Sequence, residues 1–255
     1  MGRVAPCSTK GRDIILIIVE SINPMDLLQG RTESQALGEI CKIIGHEVAV
    51  LKAASKDDFI NLCRYISSIS SVHDKQGRSK VPLCIHLSAH GNRHGLSFGK
   101  DLMKWGEILP AMKPIYTEMK EYDGEVVLII SACGAGAQSL TKEFEKEWKN
   151  NRRFSAPKYV FVTKDAFVNW DDALVSWSIF YHQLPRADLD QKISIQRILD
   201  KIEVSSIGSL QYFRWDDRKE KYLSYSASIR RKIVTKRSTG RSTVPHLVHP
   251  TSRHR

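Results

Sequence analysis

Short apolar stretches alternate with amphipathic segments along most of this chain. Residues 13–19 (DIILIIV), 83–88 (LCIHLS) and 125–132 (EVVLIISA) have strand length and are mainly apolar, as buried parallel strands are. Residues 33–44 and 55–69 instead place their apolar side chains at helical spacing. Strands separated by helices predict βαβ units, and hence an α/β fold whose mostly parallel sheet carries helices on both faces.

The same patterns predict the remaining elements. Further strands are expected at residues 48–51, 96–98, 159–162, 211–215 and 221–225, and further helices at 104–119, 138–150, 171–182 and 189–202. A break is expected in the first of these helices at Pro110 or Pro114, because proline interrupts an α-helix. Residues 72–80 are predicted to be a polar loop. No internal repeat or linker divides the sequence, so residues 1–229 are predicted to form one domain.

Positive charge is concentrated at the end of the chain. The net charge of the 255 residues is +11, but residues 230–255 carry eight Lys and Arg and no acidic residue. Removing those eight charges leaves +3 for residues 1–229. The end segment is rich in Ser, Thr and Pro as well, which predicts a disordered basic tail. Its function stays open between a solvated tail and a contact with nucleic acid or an acidic partner.

Composition and the N-terminal sequence argue against a membrane-spanning protein and against a secreted protein. Apolar residues make up 42% and charged residues 26% of the sequence, which is typical of a soluble globular protein. No apolar run approaches the roughly 18 residues that span a membrane. The N-terminus also lacks the apolar segment of a secretory signal, so no membrane association and a cytoplasmic location are expected.

The cysteines and histidines do not predict a metal site. The number of cysteines is odd and none are spaced as CxxC, which argues against a disulfide framework or a Cys-rich zinc site; they stand at 7, 41, 63, 84 and 133. His86, His90 and His94 are four residues apart, but their segment is β-like, so the spacing does not gather them on one helix face. We therefore expect neither a metal nor another cofactor.

Two of the predicted strands end in residues that carry chemistry. The strand ending "LSAHG" leads into His90 and Gly91, and the strand ending "ISACGAG" leads into Cys133. If the two strands are parallel neighbours, their carboxyl ends meet at one edge of the sheet, where sites of α/β proteins form. A thiol and an imidazole side by side have the parts for nucleophilic catalysis. The residues alone leave a buried cysteine beside a partnered histidine as an equal alternative.

The two motifs resemble those of caspase-like cysteine peptidases. "CIHLSAHGNRHGL" is similar to their histidine motif and "VVLIISACGAG" to their cysteine motif, in the same order. Within that group the sequence most resembles the CHAT-type domains of bacteria, over residues 13–225. The resemblance implies a caspase-like α/β/α sandwich with His90 as general acid–base and Cys133 as nucleophile. It also implies an oxyanion hole formed by the backbone N–H groups of Gly91 and Cys133, whereas Gly134 departs from the Glu, Asn or His of many relatives.

The resemblance implies protein substrates, control by a separate regulatory protein or ligand, and a role in bacterial defence. Candidate substrate-binding residues are Asp165, Trp170, Asp171 and Asp172 after the fifth strand, with Asp26 after the first. Asp171 and Asp172 are also well placed to cap the following helix. An acidic pocket would favour Arg or Lys before the scissile bond, and an apolar pocket stays open.

Two other classes of function remain open on the sequence. One is a catalytically silent caspase-like adaptor that binds partners through the same fold. The other is a nucleic-acid-binding protein that acts through its basic tail. Cleavage of peptides separates a peptidase from an adaptor, and salt-dependent binding that is lost with the tail identifies a nucleic-acid-binding protein.

Overall fold

A computed structural model describes residues 14–69, 81–119, 122, 124–137 and 140–228. Its strands are β1 (Ile15–Ser21), β2 (Glu47–Lys52), β3 (Leu83–Ala89), β4 (Gly95–Phe98), β5 (Asp101–Lys104), β6 (Val126–Ser131), β7 (Tyr159–Thr163), β8 (Leu210–Asp216) and β9 (Lys221–Ser226). Its α-helices are α1 (Pro24–Leu28), α2 (Glu33–Ile44), α3 (Lys56–Ser67), α4 (Trp105–Glu118), α5 (Leu140–Asn150), α6 (Trp170–Gln183) and α7 (Lys192–Val204). The predicted loop at residues 72–80 and tail at 230–255 lie outside the described residues.

Seven strands form the central sheet of the described chain, in the order β2-β1-β3-β6-β7-β8-β9. The first five of these run parallel, whereas β8 pairs antiparallel with β7 and β9 antiparallel with β8. β4 and β5 form a separate antiparallel ribbon. The prediction of an α/β fold with a mostly parallel sheet between helices is therefore confirmed.

Alternate side chains of each strand pack against helices on opposite faces of the sheet. In β3, Ile85 and Leu87 join the core with α3, α4 and α5, whereas Cys84 joins the core with α2, α6 and α7. Because side chains alternate along a strand, His86 and Ser88 lie on the same face as Cys84. Both faces of β3 are buried throughout, as expected of a strand in the middle of a parallel sheet.

The helices that follow β1 begin and end where the sequence provides caps. The Asn23 side chain accepts a hydrogen bond from the backbone N–H of Asp26 at the start of α1, and Thr32 caps α2 in the same way. α2 ends at Gly45, whose φ of 106° is left-handed and therefore suits glycine. These signals fix the direction in which the chain leaves the carboxyl end of β1.

The expected break in the helix at residues 104–119 is wrong. Helix α4 runs unbroken from Trp105 to Glu118 and includes both Pro110 and Pro114. Each proline gives up a backbone hydrogen bond, but the buried apolar side of the helix offsets that loss. That side consists of Ile108, Leu109, Met112 and Ile115.

Two short elements have no counterpart among the predicted ones. Helix α1 has five residues and strand β5 has four, so neither is long enough to show a clear periodicity. In the described part of the chain, none of the helices has the length and apolarity that a bilayer-spanning helix needs. α1 matters most for function, because it lies at the carboxyl edge of the sheet beside His90.

Candidate functional site

The two motif strands, β3 and β6, are adjacent and parallel, which confirms the predicted arrangement. Ser88 of β3 pairs in register with Ser131 of β6. His90 and Cys133 each follow their serine by two residues, so both leave the sheet at the same edge and on the same face. The strand pairing thus brings the two motifs to one point of the fold.

The loops after these strands are in direct contact, and glycine makes this possible. A Cβ atom at Gly91 would lie 2.4 Å from the carbonyl oxygen of Cys133 and 3.0 Å from the Cβ of Ala132. Gly134 has a φ of +76°, and a Cβ there would lie 3.0 Å from the carbonyl carbon of Asn92. A residue with a side chain at 134 would therefore strain the backbone.

A cleft of about 790 Å³ opens at this edge of the sheet. His90 and Cys133 both line it, as do residues from the segment between β1 and α2 and from the start of α6. The acidic residues in its lining are Asp26, Glu33 and Asp171, and the basic residue is Arg31. No cluster of three or more His, Cys, Asp or Glu side chains that could hold a metal occurs in the described parts of the chain.

Cys133 differs from the other cysteines that the structure describes. It is half-buried, whereas Cys41, Cys63 and Cys84 are buried. Its sulfur accepts a hydrogen bond from the backbone N–H of Val168 at 3.3 Å, and its thiol points to the Val168 carbonyl at 3.6 Å. Burial raises the pKa of the Cys41 and Cys63 thiols to about 12 and that of Cys84 further still. Access and polar contacts thus distinguish Cys133 from the three buried thiols.

The His90 ring is held from two sides. Its Nε2 lies 2.5 Å from Oδ2 of Asp26 and 3.2 Å from Nδ2 of Asn23. The edge of the ring meets Trp170, with centroids 5.3 Å apart and planes at 84°. The Asp26 side chain is only 10% exposed, whereas that of His90 is 43% exposed. The imidazole is therefore anchored at one nitrogen and still open to the cleft.

A buried polar network joins the two motif strands just below the site. Glu33, at the start of α2, accepts hydrogen bonds from Ser88 at 2.7 Å and from Ser131 at 2.9 Å through Oε2. Its Oε1 lies 3.2 Å from Nε2 of His86, whose Nδ1 contacts the Tyr181 hydroxyl at 2.9 Å. Burial raises the pKa of Tyr181 well above its ordinary value, so this hydroxyl stays protonated. One carboxylate thus links the strands that end in His90 and Cys133.

The two predicted oxyanion donors, the N–H groups of Gly91 and Cys133, belong to loops that are in contact. Asn92 and Ser97 make the backbone hydrogen bonds on either side of the bridge between Gly91 and Leu96. The N–H groups of Gly91 and Cys133 donate no hydrogen bond to any residue that the structure describes. Paired donors of this kind can bind the oxygen of a tetrahedral intermediate.

The four candidate substrate-binding residues do not occupy equivalent places. Trp170 and Asp171 line the cleft, whereas Asp165 and Asp172 are not among its lining residues. Asn169 is the N-cap of α6, and its amide donates to the Asp172 carboxylate at 3.3 Å. Asp171 and Asp172 both lie in the first turn of α6, where acidic residues favour the helix dipole.

The sequence pattern missed two residues that shape the site. The pattern indicates Asp26 only as a candidate pocket carboxylate and Glu33 only as part of a helix. The letters "NPMD" do contain a start signal for a helix, because Asn is a favoured N-cap and Pro a favoured first residue. That signal indicates α1, but not that its aspartate reaches His90.

Comparisons with known proteins yield structural neighbours only. No family model matches the sequence, and neither does any curated protein. Caspase-1 from Spodoptera frugiperda aligns with a TM-score of 0.47 and 15% identity, over 79% of this chain and 83% of that chain. The structure of drICE aligns with a TM-score of 0.44 and 12% identity, over 80% of this chain and 89% of that chain. Both scores are below 0.5, so the assignment of an α/β architecture rests on the strand order of this chain itself.

Proposed function

We propose that this protein is a cysteine endopeptidase of the caspase-like type, similar to bacterial CHAT-type domains, in which Cys133 and His90 form the catalytic dyad. The observation that carries the proposal is that a half-buried thiol and an anchored imidazole line one cleft at the carboxyl edge of the sheet. The order of His90 and Cys133 along the chain, and the small residues around them, also resemble the histidine and cysteine motifs of caspase-like peptidases.

The reaction would proceed through a thioester. Cys133 passes its proton to His90, and the thiolate sulfur attacks the carbonyl carbon of the substrate. When the tetrahedral intermediate collapses, His90 returns the proton to the leaving amine. A water molecule then attacks the thioester as His90 accepts one of its protons, and the thiol is restored when the carboxylic acid product leaves. Neither a metal nor a cofactor takes part in these steps.

Backbone groups would stabilise the negative charge that develops on the substrate oxygen. The N–H groups of Gly91 and Cys133 are the proposed donors, since both belong to loops in mutual contact and neither donates to a described residue. Fixed donors at this position lower the barrier because they need no reorganisation during the reaction.

The lining of the cleft supports a preference for a basic residue before the scissile bond. Trp170 and Asp171 line the cleft beside the dyad, and we propose that they contact this residue. Asp171 would pair with a cation here, since the other acidic residues of the lining, Asp26 and Glu33, bond to His90 and to the buried network. Asp165, in the connection after β7, and Asp172, in the first turn of α6, would contact substrate further from the scissile bond.

Regulation and location belong to the same proposal. We propose that a separate protein or ligand activates the peptidase in the cytoplasm, in a defence response, because an unregulated protease would damage its cell. The basic segment at residues 230–255 would offer a binding surface for an acidic activator or nucleic acid. A chain ending at Ser228 tests this role, since it should respond less to such an activator than the full chain does.

The decisive experiment is turnover of a peptide panel that differs only in the residue before the scissile bond, with Arg, Lys, Leu and Asp among the choices. We expect cleavage by the wild-type chain and a loss of at least about 10³-fold in kcat/KM in Cys133→Ala. Cys63→Ala is the matched control, because it removes a thiol that is buried away from the cleft. Asp171→Asn should reduce cleavage after Arg and Lys about 3- to 10-fold more than cleavage after Leu.

Two results would overturn the proposal. Full cleavage by Cys133→Ala would place the nucleophile elsewhere. Absence of cleavage by the wild-type chain with and without candidate activators, together with no labelling of Cys133 by a peptide-based thiol probe, would identify a silent adaptor instead.

A further inference from the structure

We propose that Asp26 is the positioning residue of the dyad, which fixes the tautomer of His90 so that its other nitrogen, Nδ1, acts on Cys133. This inference rests on the proposed peptidase activity, but it concerns a proton that can be observed without catalysis. It assigns to Asp26 a role towards His90 rather than towards substrate.

The contact between Asp26 and His90 determines where the ring proton lies. Oδ2 of Asp26 is 2.5 Å from Nε2 of His90, so the two atoms share a hydrogen. An ionised carboxylate can only accept a hydrogen bond, so Nε2 must carry the hydrogen. The Asn23 amide nitrogen, at 3.2 Å, then lies beside the ring without donating to that nitrogen.

The local backbone holds Asp26 in place. Asn23 caps α1 and accepts from the Asp26 N–H at 2.8 Å, while Pro24 provides the first helical residue. The Asp26 carbonyl accepts from the N–H of Arg31 at 2.8 Å, which closes the turn after the helix. Asp26 as a residue is only 7% exposed, so its carboxylate is largely shielded from water. A shielded, anchored carboxylate suits the task of orienting a neighbouring ring.

A fixed Nε2–H has a direct consequence for catalysis. The neutral imidazole has one hydrogen, so Nδ1 keeps a lone pair that can accept the thiol proton of Cys133. Trp170 packs against the ring in a perpendicular arrangement. When His90 becomes positively charged during the reaction, the carboxylate stabilises that charge. An aspartate that orients a catalytic histidine in this way is known to act without itself taking up a proton.

Removal of the carboxylate should reverse the tautomer. The oxygen of Asn23 already accepts from the Asp26 N–H, so its amide nitrogen is the group that faces Nε2. Without the carboxylate, that amide donates to Nε2, and the ring hydrogen moves to Nδ1. Nδ1 then has a hydrogen and cannot accept the proton of the Cys133 thiol.

The test combines Asp26→Leu, which removes the acceptor, with Asp26→Asn, which keeps the shape, and Asp26→Glu, which restores a carboxylate. Asp58→Leu is the matched control. Asp58 has the same place in the first turn of α3, where Ser55 accepts from its N–H as Asn23 does for Asp26. Thermal unfolding checks that each full-length variant is folded.

The first readout is nitrogen-15 NMR of the histidine side chains, with the His90 signal identified by its loss in His90→Gln. At a pH where the ring is neutral, we expect hydrogen on Nε2 in the wild type and Asp58→Leu, and on Nδ1 in Asp26→Leu. Asp26→Glu should return the hydrogen to Nε2. A wild-type ring with hydrogen on Nδ1, or a tautomer that Asp26→Leu does not change, would overturn the inference whether or not the protein cleaves peptides.

The second readout is steady-state kinetics on the best peptide of the panel. Asp26→Leu should reduce kcat about 10²- to 10⁴-fold while KM changes less than about 3-fold, because the ring no longer accepts the thiol proton. Asp26→Asn should lie between Asp26→Leu and the wild type, and Asp26→Glu should recover part of the loss. A wild-type kcat in folded Asp26→Leu would also overturn the inference. If the wild type cleaves nothing, the proposed function fails, and the tautomer experiment still decides the role of Asp26.

Discussion

The two faces of the central sheet are built from the same strands but differ in what they bury. Towards α3, α4 and α5, strands β3 and β6 present only apolar side chains, among them Leu87 and Ile130. Towards α2, α6 and α7, the same strands begin with apolar residues and end with Ser88 and Ser131, which bond to Glu33. We call the first the apolar face and the second the polar-ended face.

This difference separates stability from chemistry. Burial of each apolar side chain lowers the free energy of the folded state, and such side chains need no hydrogen-bond partners. A buried carboxylate such as Glu33 costs free energy unless hydrogen bonds compensate it. Glu33 has three such partners, in Ser88, Ser131 and His86, and they connect both motif strands. The polar-ended face therefore positions the site, while the apolar face stabilises the sheet that carries it.

Thiol modification should show the largest contrast. In a Cys7→Ser background, we expect iodoacetamide at pH 8 to modify Cys133 at least about 10²-fold faster than Cys41, Cys63 or Cys84. A thiol with a pKa near 12 is thiolate only to about 1 part in 10⁴ at pH 8, and burial blocks access as well. Mass spectrometry of digested samples over time measures the four rates. Equal rates in the folded protein would contradict the distinction between Cys133 and the buried thiols.

A truncation on the apolar face should lower the free energy of unfolding without changing kcat per folded molecule. Leu87→Ala removes a side chain that is 2% exposed and should lower the free energy of unfolding by about 2–5 kcal/mol. Denaturant unfolding measures that loss, and kcat per folded molecule should stay near the wild-type value. Leu102→Ala is the control, because this leucine is 41% exposed and its loss should change stability by under about 0.5 kcal/mol. A large fall in kcat with unchanged stability would mean that the apolar face also shapes the site.

A change in the polar-ended face should have a smaller effect on stability than Leu87→Ala. It should also change the rate at which Cys133 is alkylated. Glu33→Gln keeps the size of the side chain but replaces one acceptor oxygen with a donor amide. We expect about 1–3 kcal/mol lower stability, since at least one of Ser88, Ser131 and His86 loses its acceptor.

The rate of Cys133 alkylation should also change in Glu33→Gln, because Ser131 precedes Cys133 by two residues on the same strand. Glu39→Gln is the matched control, since Glu39 lies on the same helix in an exposed pair with Lys42, a kind of contact worth about 0–1 kcal/mol. If both variants are as stable as the wild type, Glu33 does not brace the two strands.

The sequence determined the longer elements and the edge of the sheet at which the candidate site lies. Unbroken apolar runs fixed β1, β3 and β6 as buried strands, and the parallel arrangement of such strands brought His90 and Cys133 to one edge. Asp26 is 64 residues from His90, and Glu33 is 98 residues from Ser131. Periodicity along the chain reports which face a side chain takes, but it carries no information about contacts over such separations.

Only the tertiary structure decided which polar groups lie against His90 and Cys133. It brought the Asp26 carboxylate to His90 and the Val168 backbone to Cys133, and it left Asp165 and Asp172 out of the cleft lining. It also kept α4 helical through two prolines, because burial of its apolar side outweighs the local preference. Local pattern sets what each segment can form, whereas packing between distant segments selects the contacts that lower the free energy of the whole chain.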